Sequence, residues 1–207
     1  MNQNKKVFII TGTISSGKST FSNILREKGF KVIDADKIVH ELYNEDFIKK
    51  QLTLNFGNTI LVDGNINRKL LGNIVFNNKE KKQLLENIVH PKVLDRIVEY
   101  ISKSEENIFI EIPLYYKVEK ELLKRTNDFK LILITIEKEL QIERLIKRNN
   151  ITREEAMVLV DNIENTNKFS KKIDYIIENN GSMEDFRLKI ENFLMAEKLD
   201  ESNKKII

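Results

Sequence analysis

The sequence predicts an α/β fold with a five-stranded parallel sheet, and three observations support this prediction. Five short runs rich in β-branched residues lie at 7–10, 32–33, 108–112, 131–136 and 175–177. Near-continuous apolar runs of this length are typical of parallel strands that are buried on both faces. Segments with helical spacing separate the runs, an alternation that predicts helices covering a parallel sheet. A glycine-containing segment directly follows the first run, where folds of this class bind phosphate.

Helical spacing of apolar residues predicts helices at 20–28, 137–147, 152–167 and 183–198. The segment 37–107 is far longer than a crossover between two parallel strands needs. Its spacing is also helical, with helices expected at 46–56, 68–76, 79–89 and 90–102. His90-Pro91 predicts the break between the last two, and Asp63-Gly64 predicts a turn. We therefore expect 37–107 to be an all-helical substrate lobe inserted into the sheet.

The composition excludes several classes of site. The chain has 207 residues, 41% hydrophobic and 32% charged, and can bury a substantial core. It has no cysteine, which excludes disulfides, thiolate-bound zinc, iron–sulfur clusters and a cysteine nucleophile. Its two histidines leave little material for a histidine-based metal site. The net charge of +3 comes from interspersed charges, so we expect no nucleic-acid partner.

No segment has the pattern of a targeting sequence or a membrane span. Residues 1–6 are polar, and the apolar run at 7–10 is too short for a secretory signal. No window approaches the roughly 20 apolar residues that cross a bilayer. We therefore expect a soluble cytoplasmic protein with no membrane partner.

The strongest functional signal is a match to the pattern G-x-x-x-x-G-K-[ST], which runs Gly12-Thr13-Ile14-Ser15-Ser16-Gly17-Lys18-Ser19. It follows a predicted strand and opens a predicted helix, which is the context that this phosphate-binding loop requires. The two glycines let the backbone N–H groups turn towards a phosphate, and the helix N-terminus adds a partial positive charge. Lys18 would reach the β- and γ-phosphates, and the Ser19 hydroxyl would bind Mg²⁺. The motif predicts a nucleoside-triphosphate site.

Asp34-Ala35-Asp36 directly follows the second predicted strand. If the segment stays extended, Asp34 and Asp36 point to the same side of the sheet. A carboxylate at the carboxyl end of a strand can accept the proton of an attacking hydroxyl or hold magnesium through water. The alternative is an aspartate pair that caps the next helix, and beside a phosphate loop we favour the functional interpretation.

Arg144 and Arg148 are four residues apart and therefore share one face of a predicted helix. An arginine pair over a phosphate site would neutralise the charge that develops on a transferred group. A surface ion-pair face with the neighbouring glutamates is the alternative. His90 is a candidate substrate contact or a structural histidine at a helix junction, and we expect His40 to lie at the surface.

The order of these motifs resembles the dephospho-CoA kinase family over roughly residues 6–194. The matching text includes the phosphate loop, Asp34-Ala35-Asp36, Asp63-Gly64 with Asn67-Arg68, His90-Pro91, Ile112-Pro113-Leu114, Arg144, Arg148, Thr152-Arg153-Glu154-Glu155-Ala156, and Asp174 to Asn179 with Gly181. The phosphate loop alone fits many proteins, and the other motifs in this order are far more selective. The resemblance implies phosphorylation of the ribose 3′-hydroxyl of dephospho-CoA by ATP.

The resemblance also implies a single unit, 1–207, with the three-layer core of a phosphate-loop kinase, a helical insert and a short helical lid. The core would comprise 5–36, 108–136 and 168–198, the CoA-binding insert 37–107 and the lid 137–167. The implied catalytic residues are Asp36 as general base, with Lys18 and Arg144 on the phosphoryl group. The implied ATP-binding residues are Gly12, Thr13, Ile14, Ser15, Ser16, Gly17, Lys18, Ser19, Thr20 and Arg148. The implied substrate contacts are Thr11, Asp34, Arg68 and His90. The implied cofactor is Mg²⁺, bound by Ser19. We expect a monomer or a weak homo-oligomer.

The loop departs from the usual sequence pattern of the family, because Thr13 and Ser15 occupy positions where relatives usually have glycine. A side chain at a position that needs a positive φ costs on the order of 1 kcal/mol.

Three other functions remain as alternatives: another phosphate-loop nucleoside or nucleotide kinase, a GTPase switch and a nucleic-acid-binding protein. Against the second, the sequence has neither an Asn-Lys-x-Asp nor an Asp-x-x-Gly signature. Against the third, Glu80 and Glu86 interrupt the basic patch that begins at Lys79.

Overall fold

The computed structural model describes residues 5–76, 78–164 and 169–199. The strands are β1 (Val7–Gly12), β2 (Lys31–Asp34), β3 (Leu61–Val62), β4 (Asn65–Ile66), β5 (Ile108–Glu111), β6 (Lys130–Thr135) and β7 (Tyr175–Glu178). The helices are α1 (Lys18–Glu27), α2 (Ala35–Leu42), α3 (Asp46–Phe56), α4 (Arg68–Phe76), α5 (Lys79–Lys103), α6 (Tyr115–Leu123), α7 (Lys138–Asn149), α8 (Arg153–Glu164) and α9 (Met183–Ala196).

The five-stranded parallel sheet that the sequence predicts is confirmed. Its strand order is β2-β5-β1-β6-β7, and β1 pairs in parallel with both β5 and β6. The central strand is buried from Val7 to Thr11, as an apolar run with neighbours on both edges and helices on both faces should be. This position brings the end of β1, where the glycine motif begins, to the middle of the sheet.

An aromatic cluster joins the sheet to its covering helices. The rings of Phe8 on β1 and Phe109 on β5 stack with their centroids 4.7 Å apart. Phe193 of α9 meets Phe8 edge-on at 5.5 Å, and Phe21 of α1 lies 6.1 Å from the same ring of Phe193. Because α1 starts at the glycine motif, this packing fixes the helix that carries the motif's lysine and serine.

Most helices lie where helical spacing places them, and α3 and α4 have the predicted bounds. The end of the helix predicted at 152–167 lies partly outside the described residues. Two short helices are missing from the predicted helix ranges. The sequence pattern does not predict α6, and it includes α2 only in the alternative that the aspartate pair caps the next helix.

The predicted helix break at His90-Pro91 is wrong, because α5 runs through Pro91 without interruption. Proline in a helix removes one hydrogen bond but not the packing on either side. Val89, Val93, Leu94 and Ile97 are buried along this helix, and their packing holds both halves in one line.

The expectation of an all-helical insert is also wrong, because β3 and β4 form an antiparallel hairpin. Its two-residue turn is Asp63-Gly64, with φ angles of 49° and 74°. Two consecutive positive φ values are what a tight hairpin turn requires, and Asp-Gly adopts them readily. The turn prediction at these residues is therefore confirmed.

The chain divides into two compact units. The first contains the chain up to Val32, Glu106–Glu119 and the chain from Asp128 onwards, and the second contains Ile33–Glu105 and Lys120–Asn127. In the second unit α5 is the packing partner of α2, α3 and α4, and Arg96 of α5 pairs with Glu45 at 2.7 Å. Within the part of the chain that the structure describes, no helix is both long and apolar enough to cross a membrane.

Glu197, which follows α9, is a buried carboxylate with a side chain only 2% exposed. It accepts hydrogen bonds from Lys6 at 2.9 Å, from Lys130 at 2.5 Å and from the hydroxyl of Tyr175. Burial raises the pKa of this carboxyl, but the hydrogen bonds from the two lysines and the tyrosine outweigh it and lower the pKa to about 2. The hydrogen bond to Glu197 raises the pKa of Tyr175 to about 12. This cluster ties the start of β1 and the starts of β6 and β7 to the end of α9.

We predict that Glu197→Gln lowers the free energy of unfolding at pH 7 by about 2 kcal/mol, because it removes the buried charge that accepts hydrogen bonds from two partly exposed lysines and from Tyr175. The pKa of Glu197 in the folded protein lies below its ordinary value of 4.5. Its contribution is therefore complete above pH 4.5 and is lost as the pH falls towards 2. Urea unfolding at pH 7 and pH 3 should show a smaller pH effect in the variant than in the wild type.

The matched control is Glu191→Gln, which removes a carboxylate on α9 that pairs with Lys28 at the surface. An exposed ion pair contributes less than about 1 kcal/mol, so this variant should unfold almost like the wild type. Equal effects of the two substitutions would contradict the role of the buried cluster.

Candidate phosphate-binding site

The backbone of the loop after β1 approaches its neighbours too closely for any side chain at two positions. A Cβ atom on Gly12 would lie 2.3 Å from the carbonyl oxygen of Ile134, the residue that pairs with Gly12 on β6. A Cβ atom on Gly17 would lie 2.3 Å from the side-chain nitrogen of Asn179, and the φ of Gly17 is 102°. Both positions of the motif therefore require glycine for steric reasons, as the sequence pattern indicates.

The N-terminus of α1 is open towards the loop. Its N-cap residue is Gly17, which brings no side chain to cap the first N–H groups of the helix. Such N–H groups need a partner, and their partial positive charge favours an anion. Among the described residues, the hydroxyl oxygens of Thr13, Ser15 and Ser16 are also buried without a hydrogen-bond partner. A bound polyphosphate would supply acceptors for the helix N–H groups and for the hydroxyl of Ser15, which lines the pocket.

Ser15 has a φ of 56°, in the left-handed region that disfavours a side chain. Thr13 is not among the described residues with positive φ. Of the two departures from glycine in this loop, only the one at position 15 therefore carries backbone strain, on the order of 1 kcal/mol.

Lys18 lies over the loop that it follows. Its ammonium group donates to the carbonyl oxygens of Gly12 at 3.0 Å and Thr13 at 2.7 Å. The lysine charge is therefore already held at the mouth of the loop, where it can also reach phosphate oxygens.

The predicted arginine pair lines the same pocket as the loop. This pocket has a volume of about 600 Å³, and its lining residues are Ser15, Gly17, Lys18, Ser19, Thr20, Arg144, Arg148, Asn179, Gly181 and Met183. Within the described parts of the chain the lining carries three cations and no carboxylate. Arg144 is oriented by a hydrogen bond of 3.1 Å from its guanidinium to the carbonyl oxygen of Asn179. The structure therefore brings together the loop, Lys18 and both arginines.

Glu111, at the end of β5, is a buried carboxylate beside the motif serine, with a relative exposure of 4%. It accepts hydrogen bonds from Ser22 at 2.6 Å and from Ser19 at 3.3 Å. The serine hydroxyl and the carboxylate behind it are hard oxygen donors of the kind that Mg²⁺ prefers. The residues present at this end of α1 therefore fit a magnesium ion, with Ser19 as the ligand and Glu111 as the group that orients it.

Thr11, the last side chain of β1 before the loop, is buried and donates to the carbonyl oxygen of Pro113 at 3.5 Å. This contact joins the ends of β1 and β5 within the first unit.

Asp34 and Asp36 do not lie on one extended strand, contrary to the expectation from the sequence. The strand β2 ends at Asp34, and α2 begins at Ala35, so the expectation that both carboxylates point to one side of the sheet is wrong. Asp34 is the N-cap of α2, with its Oδ1 accepting from the N–H groups of Asp36 at 2.9 Å and Lys37 at 3.4 Å. Asp36 lies exposed in the first turn of the helix.

The other predicted substrate residues belong to the second unit. Arg68, at the start of α4, is exposed, and its Nη1 lies 3.1 Å from Nδ1 of His40. His40 is exposed, as expected from the sequence, and it has this contact with Arg68. His90 is half-buried inside α5 rather than at a junction between two helices.

Three residues beside the loop were absent from the sequence-based site. Glu111 could have been found as a lone acidic residue that ends a buried apolar strand, and Asn179 as the residue directly after β7. Gln141 donates to the carbonyl oxygen of Ile14 at 2.8 Å. It lies between apolar residues of α7, and no local pattern marks it as a partner of a loop more than a hundred residues away.

A sequence profile of the dephospho-CoA kinase family matches residues 7–185 of this chain. Curated relatives with that name include a protein from Fusobacterium nucleatum, 40% identical over 186 residues, and one from Campylobacter jejuni, 39% identical over 189 residues. The alignment with the first relative covers 89% of this chain and 94% of the relative. The alignment with the second covers 88% of this chain and 92% of the relative. The family match therefore includes the loop, the whole second unit and the segment directly after β7.

Solved structures are similar over almost the whole chain. A dephospho-CoA kinase from Campylobacter jejuni superposes with a TM-score of 0.64 at 35% identity, covering 93% of this chain and 97% of its own. A protein from Thermus thermophilus superposes with a TM-score of 0.73 at 29% identity, covering 94% of this chain and 98% of its own. A shikimate kinase from Bacteroides thetaiotaomicron gives 0.58 at 14% identity, with coverage of 94% and 99%, which is a likeness of fold alone.

We predict that Glu111→Gln raises the Mg²⁺ concentration needed for half-maximal binding of an ATP analogue about 10- to 100-fold, the usual effect of losing a group that orients a metal ligand. Isothermal titration with a non-hydrolysable analogue over a range of Mg²⁺ concentrations measures this.

The matched control is Glu119→Gln, which changes another buried carboxylate of the first unit. Glu119 accepts from the backbone N–H groups of Ser170 and Lys171 and is not a lining residue of the pocket. An equal change of Mg²⁺ dependence in both variants would contradict the role of Glu111.

Proposed function

This chain belongs to the dephospho-CoA kinase family, and we propose that it transfers the γ-phosphoryl group of ATP to the ribose 3′-hydroxyl of dephospho-CoA. The 3′-oxygen attacks the γ-phosphorus, the bond from that phosphorus to the β–γ bridging oxygen breaks, and coenzyme A and ADP result. The observation that carries the proposal is the cationic pocket, in which a phosphate loop, an uncapped helix N-terminus and three basic side chains meet.

On the donor side, the loop N–H groups and the Lys18 ammonium would hold the β- and γ-phosphates of ATP. Arg144 and Arg148 would neutralise the charge that spreads over the transferred group, which is the main task of a protein in this chemistry. Arg144 suits the role because the Asn179 carbonyl already orients its guanidinium. A positioned cation needs little reorganisation when the reaction occurs.

Magnesium would be held by Ser19, with Glu111 fixing the direction of the serine hydroxyl. When bound, the ion neutralises the β- and γ-phosphate oxygens. Met183, an exposed lining residue of the same pocket, would offer apolar surface to the adenine ring.

On the acceptor side, we assign the general base to Asp36 and not to Asp34. The Asp34 carboxylate is engaged in capping α2, which fixes the first helical turn and with it the position of Asp36. Asp34 would therefore shape the acceptor site, and Asp36 would take the proton of the 3′-hydroxyl. Thr11 and His90 would contact the acceptor, while the exposed guanidinium of Arg68 would pair with the diphosphate of dephospho-CoA.

We also propose a cytoplasmic location, since the reaction consumes ATP, and a monomer or weak homo-oligomer as the assembly. Subcellular fractionation and native mass measurement test these two assignments.

We predict that the purified protein releases ADP from ATP in the presence of dephospho-CoA and that mass spectrometry detects coenzyme A. A panel of nucleosides and nucleotides serves as the control, because another kinase of this fold would prefer one of them. No ADP formation above the rate without acceptor, or a faster reaction with a panel member, would contradict the proposed substrate.

We predict that Asp36→Asn lowers turnover about 100-fold or more, the usual scale for loss of a general base, while the affinity for an ATP analogue stays unchanged. Asp34→Asn is the matched variant, because asparagine caps a helix as well as aspartate and preserves the first turn of α2. Its turnover should fall less than about tenfold. Normal turnover in Asp36→Asn, or a larger loss in Asp34→Asn, would assign the base elsewhere.

A further inference from the structure

Two buried side-chain amides hold carbonyl groups of the phosphate loop. Gln141 of α7, 3% exposed, donates from Nε2 to the carbonyl oxygen of Ile14 at 2.8 Å. Asn179, 6% exposed and directly after β7, donates from Nδ2 to the carbonyl oxygen of Ser16 at 2.8 Å. The two anchored carbonyls therefore flank Ser15 on both sides.

Anchoring a carbonyl also sets the direction of the next N–H group. In a planar trans peptide the C=O of one residue and the N–H of the following residue point in opposite directions. Gln141 therefore directs the N–H of Ser15, and Asn179 directs the N–H of Gly17, away from the anchoring amides. Ser15 and Gly17 are both lining residues of the cationic pocket.

The anchors act where the loop is strained. Ser15 has a φ of 56°, and a residue with a side chain keeps such a conformation only when its surroundings enforce it. Gln141 holds the peptide before Ser15, and the N–H of Ser16 holds the peptide after it by donating to the carbonyl oxygen of Thr13 at 3.3 Å. Asn179 holds the next peptide, between Ser16 and Gly17, so the backbone around Ser15 cannot relax without breaking one of these hydrogen bonds. A glycine at this position would adopt the same φ with no such enforcement.

The anchors also connect the loop to the arginine helix. The backbone N–H of Asn179 donates to the carbonyl oxygen of Thr135 at 2.8 Å, so the end of β6 fixes its place. Its own carbonyl accepts from Arg144, which lies on α7 with Gln141. The loop, α7 and the residue after β7 are therefore joined by hydrogen bonds into one arrangement.

We propose that Gln141 and Asn179 are positioning residues that keep the phosphate loop in its phosphate-binding shape despite serine at position 15. The proposal rests on the proposed function in one respect, that the loop binds the phosphates of ATP. Neither side chain needs to touch the nucleotide for this role, because each acts through a loop carbonyl.

The experiment compares Gln141→Met and Asn179→Ala with wild type in binding a non-hydrolysable ATP analogue and inorganic tripolyphosphate, by isothermal titration. Each substitution removes one anchoring hydrogen bond, and we expect each to weaken both ligands about tenfold. Equal losses for the two ligands locate the defect in the loop, because tripolyphosphate has no base or ribose. Thermal unfolding and circular dichroism establish that each variant is folded at the titration temperature, and Asn179→Ser replaces Asn179→Ala if the latter is not.

Asn180→Ala is the matched control. Asn180 accepts from the N–H of Glu137 at 2.9 Å and so joins the segment after β7 to the start of α7 without contacting the loop. Its loss should leave both affinities within about twofold of wild type.

The substitution Ser15→Gly distinguishes the proposed positioning role of Asn179 from a general contribution of Asn179 to packing. In the Asn179→Ala background it should restore most of the lost tripolyphosphate affinity, because glycine removes the strain that the anchor opposes. In the wild-type background, where both anchors are present and the same change removes a hydroxyl that can donate to phosphate, it should give no gain in affinity. A general loss of packing at position 179 would not respond to a change at position 15.

Wild-type affinity in both anchor variants would overturn the proposal, as would losses that Ser15→Gly does not restore. If the wild-type protein binds the ATP analogue but does not phosphorylate dephospho-CoA, the proposed function is refuted. The inference about Gln141 and Asn179 is then still decided by the measured affinities of the variants for the two ligands. A wild-type protein that binds neither ligand would refute both.

Discussion

The donor site depends on one constraint: several backbone N–H groups must point at a single phosphate group. A loop with its N–H groups turned inward has carbonyl groups turned outward, and buried carbonyls need donors. Gln141 and Asn179 are such donors for Ile14 and Ser16. The sheet serves the same constraint, since β1 is central and Gly12 lies directly against the backbone of β6. Much of the first unit can be understood as support for this loop.

The hydroxyl groups of this loop give the constraint an energetic consequence. Thr13, Ser15 and Ser16 bury oxygens that have no hydrogen-bond partner among the described residues. A buried unpaired hydroxyl costs about 1–3 kcal/mol, and a ligand that supplies acceptors recovers part of that free energy. In a loop of glycines this contribution would be missing. The serine at position 15, which strains the free loop, therefore also favours an occupied one.

The sequence predicted the fold best where a local pattern determines the structure. Buried strands produce apolar runs, and Asp63-Gly64 produces a hairpin turn because both residues tolerate positive φ. The prediction failed where tertiary packing decides, as at Pro91, where buried neighbours on both sides carry α5 across a residue that usually ends a helix. It also failed at Asp34, where the local capping preference of aspartate ended the strand that the extended interpretation needed.

The candidate site divides in the same way. The loop and the arginines follow from a motif and a helical spacing, and both are properties of neighbours in sequence. Glu111 ends β5 and Asn179 directly follows β7, and at the carboxyl edge of a parallel sheet the residues at each strand end are candidates for the site. That rule would have found them from the strand ends alone. Gln141 has no such rule, because its role comes from the partner carbonyl of Ile14 and not from its own surroundings on α7. A side chain that acts on backbone groups leaves little trace in the sequence, since any backbone has the same carbonyls, and only the fold shows which of them it reaches.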